Sequence, residues 1–441
     1  MTTSTICAVA TPPGRGGVGV IRVSGPEAGR LAEAMAGPVP PPRQAVYRRF
    51  CGVDGETLDE GLLLWFPGPG SFTGEDVMEL QGHGGPVVMD RLLQRLLDLG
   101  AELAAPGEFS QRAFVNGRMD LTRAEAVADL IEAGSEAAAR AAVRSLQGEF
   151  ARAVAELVEQ LTRLRVHLES SIDFVDEPLE GLALSDVGQQ IEAIGAAVEQ
   201  TRQAAGRGQQ LQEGLTVVIA GPPNAGKSSL LNALAGRDAA IVTAQAGTTR
   251  DVLDAHLHLD GLPLRVLDTA GLRRGGDVVE QEGMRRARAA MADADRILLV
   301  TEAGAADPSA DGAVALPAGV AVTRVVNKID LTGDAAGVQG EQVAVSALTG
   351  AGLPALRRHL REVLGVSDGE AAFIARRRHL DALAAAAECI DEALAGARNG
   401  LGEELIAESL RQAQGRLGEI TGAVSTEDLL GRIFSTFCIG K

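Results

Sequence analysis

Apolar positions recur with two different periods along the chain, and the change of period divides it. Residues 1 to about 118 mix the two. Val18-Gly19-Val20-Ile21-Arg22-Val23 and Gly61-Leu62-Leu63-Leu64-Trp65-Phe66 read as strands. Val87 to Leu99 reads as an amphipathic helix, with Val88, Leu92, Leu93, Leu96 and Leu97 on one side. Pro38-Val39-Pro40-Pro41-Pro42 and Pro67-Gly68-Pro69-Gly70 read as loops. From Asp120 to about Gln210 the pattern is helical and rich in Ala, Glu, Leu and Arg, interrupted at Asp173-Phe174-Val175-Asp176-Glu177-Pro178. Ala371 to about Ile420 is helical again. Each helical part carries a narrow apolar stripe that needs a partner. The two parts are therefore expected to form one discontinuous helical domain.

Residues 212 to about 367, between those parts, alternate strand and helix patterns as a parallel sheet requires. The strands are expected at Val217–Ala220, Leu264–Leu267, Arg296–Val300, Val320–Val326 and Gln342–Val345. His256-Leu257-His258-Leu259 alternates into Asp260-Gly261, a hairpin signal. One antiparallel edge strand on an otherwise parallel sheet is the expectation. The division is then 1–118 as an N-terminal domain, 119–211 and 368–441 as the two helical parts, and 212–367 as the insertion.

Composition narrows the setting. A length of 441 residues fits roughly three domains. No apolar run approaches the ~18 residues of a membrane span, and Met1-Thr2-Thr3-Ser4-Thr5 has no basic start of the kind that opens a signal peptide. Cys7, Cys51, Cys389 and Cys438 are spaced neither for zinc nor for a disulfide framework. A reducing, cytoplasmic compartment without membrane attachment is expected. The net charge of −18 excludes a protein that holds nucleic acid by a broad basic surface. Arg376-Arg377-Arg378-His379 is a local cationic run, and a helix start or a salt-bridged surface accounts for it equally well.

The chemistry begins after the first strand of the insertion. Gly221-Pro222-Pro223-Asn224-Ala225-Gly226-Lys227-Ser228-Ser229 fits G-x-x-x-x-G-K-[ST] between a strand and a helix. Glycines at both ends let backbone N–H groups converge on phosphate oxygens, and the helix start adds its positive dipole end. Lys227 neutralises β- and γ-phosphates and Ser228 offers a hydroxyl to Mg²⁺. Asp268-Thr269-Ala270-Gly271 follows a later strand: Asp268 can hold Mg²⁺ through water and the Gly271 N–H can meet a γ-phosphate. In Gly247-Thr248-Thr249-Arg250-Asp251, Thr249 is the natural second Mg²⁺ hydroxyl. Asn327-Lys328-Ile329-Asp330 ends another strand, and the Asp330 carboxylate accepts two hydrogen bonds from guanine where adenine has no such donor pair. Ser346-Ala347 ends the next, placing a backbone N–H for guanine O6. The order of these segments, each at a strand end, predicts a GTP-binding switch domain. The residue after the D-x-x-G glycine, a glutamine in many such GTPases, is Leu272 here and cannot orient water. Glu280 and Glu282 are the local alternatives, and neither Arg250, Arg273 nor Arg274 declares itself an arginine finger.

A second glycine pattern, Gly14-Arg15-Gly16-Gly17-Val18-Gly19, matches G-x-G-x-x-G but runs into a strand rather than a helix, which excludes a dinucleotide fingerprint.

With Thr11-Pro12-Pro13-Gly14-Arg15-Gly16-Gly17, Ser71-Phe72-Thr73-Gly74-Glu75-Asp76, Glu79-Leu80-Gln81-Gly82-His83-Gly84-Gly85, Pro106-Gly107-Glu108-Phe109, the GTP motifs and the final Cys438-Ile439-Gly440-Lys441, the chain resembles, end to end, the MnmE (TrmE) family of bacterial tRNA modification GTPases. The resemblance implies an α/β multidomain protein with a mixed α/β N-terminal folate-binding domain, a discontinuous α-helical domain and an inserted Ras-like P-loop GTPase domain. It implies a homodimer formed by the N-terminal domain and a flavoprotein partner, MnmG (GidA), in a heterotetramer. Together these install an aminomethyl or carboxymethylaminomethyl group at C5 of the tRNA wobble uridine, with 5-formyl- or methylene-tetrahydrofolate supplying the one-carbon unit. It implies K⁺-stimulated GTP hydrolysis on G-domain dimerisation, with Asn224, Thr243, Gln245 and Thr248 around K⁺ and Glu280 orienting the water. A cation there does the work of an arginine finger. The folate contacts map to Arg22, Glu79, Arg118 and Lys441; Arg118 stands where relatives often carry lysine, keeping the charge in another geometry. Leu348 replaces a frequent lysine or arginine after Ser346-Ala347. Cys438 is implied to lie near the folate pocket and to matter for modification; a lone thiol in a short C-terminal tail is the alternative, and a lowered pKa would need a cation such as Lys441.

Two other classes compete. A ribosome-assembly GTPase, a GTP-timed RNA-binding factor, would carry an added RNA-binding domain or a second G domain, and this chain shows neither a G-x-x-G RNA-clamping context nor a second phosphate loop. A folate enzyme with a decayed switch domain would not keep Lys227, Ser228, Asp268 and Asp330.

Overall fold

A computed structural model describes residues 4–173, 184–235, 253–259, 262–268, 288–305, 316–340, 342–363, 373–424 and 426–440. The chain folds as two compact units: residues 1–131, 145–199 and 381–441 form the first, and residues 132–144 and 200–380 the second.

The first unit is built on a six-stranded sheet of order β3-β4-β5-β2-β1-β6. Its strands are β1 (Ile6–Val9), β2 (Gly16–Ser24), β3 (Val46–Cys51), β4 (Thr57–Phe66), β5 (Val77–Gly84) and β6 (Glu102–Leu103). Period-two alternation sends Ile21, Val23, Leu63, Met78 and Leu80 to one face. There they pack on Leu31 and Met35 of α1 (Ala28–Ala36) and on Met89, Leu92 and Leu96 of α2 (Pro86–Asp98). Pro86 opens α2, where a missing N–H costs nothing. The antiparallel register sets Arg22 of β2 directly beside Glu79 of β5. Next in sequence come α3 (Glu108–Val115) and α4 (Leu121–Glu132).

The expected strands at 18–23 and 61–66 and the helix at 87–99 are all present, each with a boundary moved by a few residues.

The helical segments that follow are α5 (Glu136–Leu146), α6 (Glu149–Asp173) and α7 (Leu184–Glu213). The expected break at 174–178 lies outside the described residues. In the first unit α6 packs on a later helix, Glu403–Thr421, where Arg165 and Thr162 meet Gln414.

The second unit holds a seven-stranded sheet of order β12-β13-β11-β10-β7-β9-β8. Its strands are β7 (Leu215–Ala220), β8 (Leu253–Leu259), β9 (Leu262–Asp268), β10 (Arg296–Glu302), β11 (Val322–Asn327), β12 (Gly337–Gln339) and β13 (Gln342–Ala344). Val217 and Ile219 face α8 (Lys227–Ala235) and α10 (Leu353–Val363), while Val218 and Ala220 face Met291 and Ala294 on the other side. Burial on both faces explains the unbroken apolar run. Strand β7 lies between β9 and β10, so the strand order turns at β7, and the loop after it opens at the crevice where such sheets bind ligands.

The hairpin into β9 forms as expected, with β8 antiparallel at the edge. The expectation of a single antiparallel strand needs correction: β12 pairs antiparallel with β13 at the opposite edge. Gly337 and Gly340 take positive φ angles of 123° and 60°, which lets a three-residue strand turn back too briefly to show any period.

The remaining helices are α9 (Ile329–Thr332), α11 (Arg377–Arg398), α12 (Glu403–Thr421) and α13 (Glu427–Phe434). Helix α13 lies beyond the helical pattern expected to run to about Ile420. Thr426 caps it by accepting the Leu429 N–H at 3.3 Å, and Phe434 and Phe437 pack against Phe114, Leu121 and Ala124.

Candidate functional site

The phosphate loop joins β7 to α8 in a geometry that only glycine permits at two positions. Gly221 and Gly226 have φ of 149° and 86°. A Cβ at Gly221 would lie 2.2 Å from the Val300 carbonyl, and one at Gly226 would lie 2.3 Å from Asn327 Nδ2. Asn224 is also left-handed, at φ 63°, and exposed. The Lys227 ammonium is buried and donates to the carbonyls of Gly221 (3.1 Å) and Pro222 (2.8 Å). Ser228 and Ser229 lie exposed in the first turn of α8, and Ala225 is buried beneath the loop.

Asn327, at the end of β11, binds two loops together. Its Nδ2 donates to the Ala225 carbonyl at 3.0 Å, and its Oδ1 accepts the Ala347 N–H at 3.0 Å. The side chain is 1% exposed and its bond to Ala225 is fully buried, away from competing water. Lys328 follows in the left-handed region (φ 64°), and its ammonium pairs with Glu302 at 3.0 Å. The Ser346 hydroxyl donates to Asp330 Oδ1 at 2.5 Å while accepting the Thr349 N–H at 3.1 Å. One Asp330 oxygen is thereby fixed beside the Ser346-Ala347 turn.

The β7–β9 register pairs Ile219 with Asp268, which sets the end of β9 beside the strand that feeds the phosphate loop. Asn224 to Ser229, Asn327, Lys328, Asp330, Ser346 and Ala347 thus lie in the strand ends, loops and first helical turns at the C-terminal ends of β7, β11 and β13. Thr243, Gln245, Thr248, Thr249, Thr269, Ala270, Gly271 and Glu280 lie outside the described residues.

The first unit carries a second polar site. Arg22 donates to Glu79 Oε1 from Nε (3.0 Å) and Nη2 (2.8 Å), and its Nη1 reaches the Gly440 carbonyl at 3.5 Å. The guanidinium carbon lies 5.3 Å from the Phe72 ring centre and 5.9 Å from that of Phe109, within cation–π range. The C-terminal segment is held here by its backbone: the Gly107 N–H donates to the Cys438 carbonyl at 3.3 Å. A Cβ at Gly440 would lie 2.6 Å from the Val9 carbonyl. The Cys438 thiol is exposed. Arg118 is exposed, and its stem lines the space beside Gly74, in the loop that carries Phe72. Asn116 ties the same loop by donating to the Thr73 carbonyl at 2.8 Å. Arg22, Glu79 and the C-terminal segment meet directly. Lys441 lies outside the described residues.

Sequence reasoning missed Arg112. It is a charged residue on a helix, yet it is 4% exposed and bonded to both Glu75 and Glu108. It also missed the Asp59–His83 contact. Asp59 Oδ1 lies 2.7 Å from His83 Nδ1, and Oδ2 accepts the His83 N–H at 2.7 Å. Burial pushes the Asp59 carboxyl up, but these hydrogen bonds outweigh it and hold the carboxyl below the usual carboxylate range. Gly82 supplied the one sequence signal, since a Cβ there would lie 2.3 Å from the Asp59 carboxylate.

A largely parallel sheet with a phosphate loop at its turning point, and with the Asn327-Lys328-Ile329-Asp330 and Ser346-Ala347 motifs at the ends of β11 and β13, defines a P-loop GTPase. Comparison with known proteins places it more closely. Residues 121–438 match the family described as the MnmE helical domain, and residues 5–118 match the one described as the GTP-binding protein TrmE N-terminus. The tRNA modification GTPase MnmE of Alkalilimnicola ehrlichii is 59% identical over 446 residues, covering 100% of both chains. Its counterpart from Stutzerimonas stutzeri is 56% identical over 454 residues, covering 99% of each. Among solved structures, Aquifex aeolicus Era is 28% identical over 40% of this chain and 66% of its own, with a TM-score of 0.27, and that likeness carries no weight. The chain belongs to the MnmE family of tRNA modification GTPases.

Proposed function

We propose that the chain hydrolyses GTP under K⁺ stimulation and, as a cytoplasmic homodimer joined to a flavoprotein partner of the MnmG type, modifies C5 of the tRNA wobble uridine. The added group is aminomethyl or carboxymethylaminomethyl, with its one-carbon unit drawn from 5-formyl- or methylene-tetrahydrofolate. The observation that carries this reading is full-length identity of 59% to an MnmE protein, joined to the linked Asn327, Asp330 and Ser346 loops. Residues 1–118 would bind folate and dimerise, 119–211 and 368–441 would form the helical domain, and 212–367 the GTPase.

Lys227 exchanges its two carbonyl acceptors for phosphate oxygens when GTP binds. Asp330 reads the guanine edge, and the Ala347 N–H meets O6. Ser228, Thr249 and water on Asp268 would hold Mg²⁺. The exposed Ser228 in the first turn of α8, and Asp268 at the strand end beside β7, suit a hard cation with oxygen ligands. Asn224, Thr243, Gln245 and Thr248 would hold K⁺. The two cations supply charge neutralisation at the β- and γ-phosphates. Glu280 orients the attacking water. Arg22, Glu79, Arg118 and Lys441 would hold the folate. The ion pair beside the half-buried Phe72 ring suits a flat conjugated ring with polar edges. Cys438 would lie at its margin.

The test is a turnover assay with two perturbations. Replacing K⁺ by Na⁺ should slow hydrolysis, and Glu280→Ala should keep GTP affinity while losing most turnover. Equal rates in both salts, with normal turnover in the variant, would remove the proposed catalytic arrangement.

A further inference from the structure

Arg112 of α3 is buried among acceptors drawn from three separate segments. Its Nε and Nη2 donate to Glu108 Oε1 at 3.2 and 2.8 Å. Its Nη1 donates to Glu75 Oε1 and Oε2 at 3.3 and 3.1 Å and to the Ser4 carbonyl at 2.8 Å, while Nη2 also reaches the Ser4 hydroxyl at 3.2 Å. Glu75 in turn accepts the Ser24 hydroxyl at 2.7 Å, and Ser24 meets Thr73 at 2.7 Å. Each of these residues leads directly to the Arg22 site. Glu108 adjoins Phe109, Glu75 closes the loop that carries Phe72, and Ser24 lies two residues from Arg22 on β2.

We propose that Arg112 is a positioning residue for that site. By clamping Glu75 to Glu108 it fixes how Phe72 sits on Phe109, the two rings within cation–π range of the Arg22 guanidinium. A planar guanidinium serves two carboxylates from opposite edges, whereas an ammonium is a point charge that satisfies one geometry at a time. Arg112 touches no ligand in this account. It acts through the loop and the helix that carry the rings.

The inference rests on the folate reading only for the ligand's identity, and the test separates the two. Fluorophenylalanine is placed singly at position 72 or 109 in the full-length chain and read by fluorine NMR without ligand. Binding of 5-formyltetrahydrofolate is measured by calorimetry in parallel. Arg112→Lys should keep the helical circular dichroism, move both fluorine resonances, and raise the folate Kd about tenfold. Glu75→Gln should move the resonance at 72 more than that at 109, since the two rings share one apolar cluster. Glu108→Gln should do the reverse. If Arg112→Lys fails to fold, the two carboxamide variants decide the matter. Unchanged resonances in the folded variants, or equal movement of both rings in each carboxamide variant, would overturn the positioning role. A wild-type chain that binds no folate would overturn the ligand assignment alone, because the ligand-free spectra still report the rings.

Discussion

Replacing Asn327 by alanine tests whether the phosphate loop and the Ser346-Ala347 loop act as one body. The substitution removes two hydrogen bonds, Nδ2 to the Ala225 carbonyl and the Ala347 N–H to Oδ1, both at 3.0 Å. The Asn327 side chain is 1% exposed and Ala225 is equally buried, so the freed carbonyl gains little compensation from water. A net hydrogen bond is worth about 1 kcal/mol, and an acceptor left buried and unpaired costs about 1–3 kcal/mol. Two lost bonds therefore cost about 3 kcal/mol, which corresponds to roughly a hundredfold loss in GTP affinity if it falls wholly on the binding-competent loop arrangement. Asn327→Asp keeps the acceptor for Ala347 but sets an oxygen against the Ala225 carbonyl, so it should also weaken binding. Titration of a fluorescent guanine nucleotide measures both variants. An Asn327→Ala chain that binds within about threefold of wild type would refute the reasoning.

Two further expectations follow from burial and charge. The Cys7 thiol is fully buried and burial pushes its pKa up to about 12, whereas Cys438 is exposed. Iodoacetamide at pH 8 should therefore alkylate Cys438 in the native chain and spare Cys7, as peptide mass mapping would show; comparable labelling of both would contradict the packing of β1. The Asp59 carboxyl is held below its ordinary range, so its ionised form stabilises the fold above the unfolded value of about 3.9, and that contribution is lost as pH falls through the folded value. The difference in melting temperature between wild type and Asp59→Asn should therefore shrink between about pH 5 and about pH 3, and a constant difference would refute the hydrogen-bond account.

How much was legible in the sequence depended on how local the cause was. The β8–β9 hairpin was readable because Asp260-Gly261 and strict alternation act within a dozen residues. The phosphate loop was readable because glycine at 221 and 226 answers a backbone demand, although the contacts that enforce it, Val300 and Asn327, come from distant strands. Strand β12 was hidden because three residues carry no period. Helix α13 was hidden because it has only eight residues, although the Thr426 cap was a usable signal. Arg112 was hidden for a different reason: nothing near it in sequence says that a helix arginine is buried, since Ser4 and Glu75, two of its three partners, lie in distant segments. The Arg22–Glu79 pair came from the family resemblance. The antiparallel register that joins them is visible only in the folded sheet.

The most direct test of the central claim is mass analysis of wobble uridines in tRNA from a strain lacking this gene. The account predicts that the aminomethyl and carboxymethylaminomethyl uridines disappear, return with the wild-type gene, and fail to return with Asp330→Asn or Arg22→Ala. Full modification in the deleted strain, or full rescue by both variants, would contradict it.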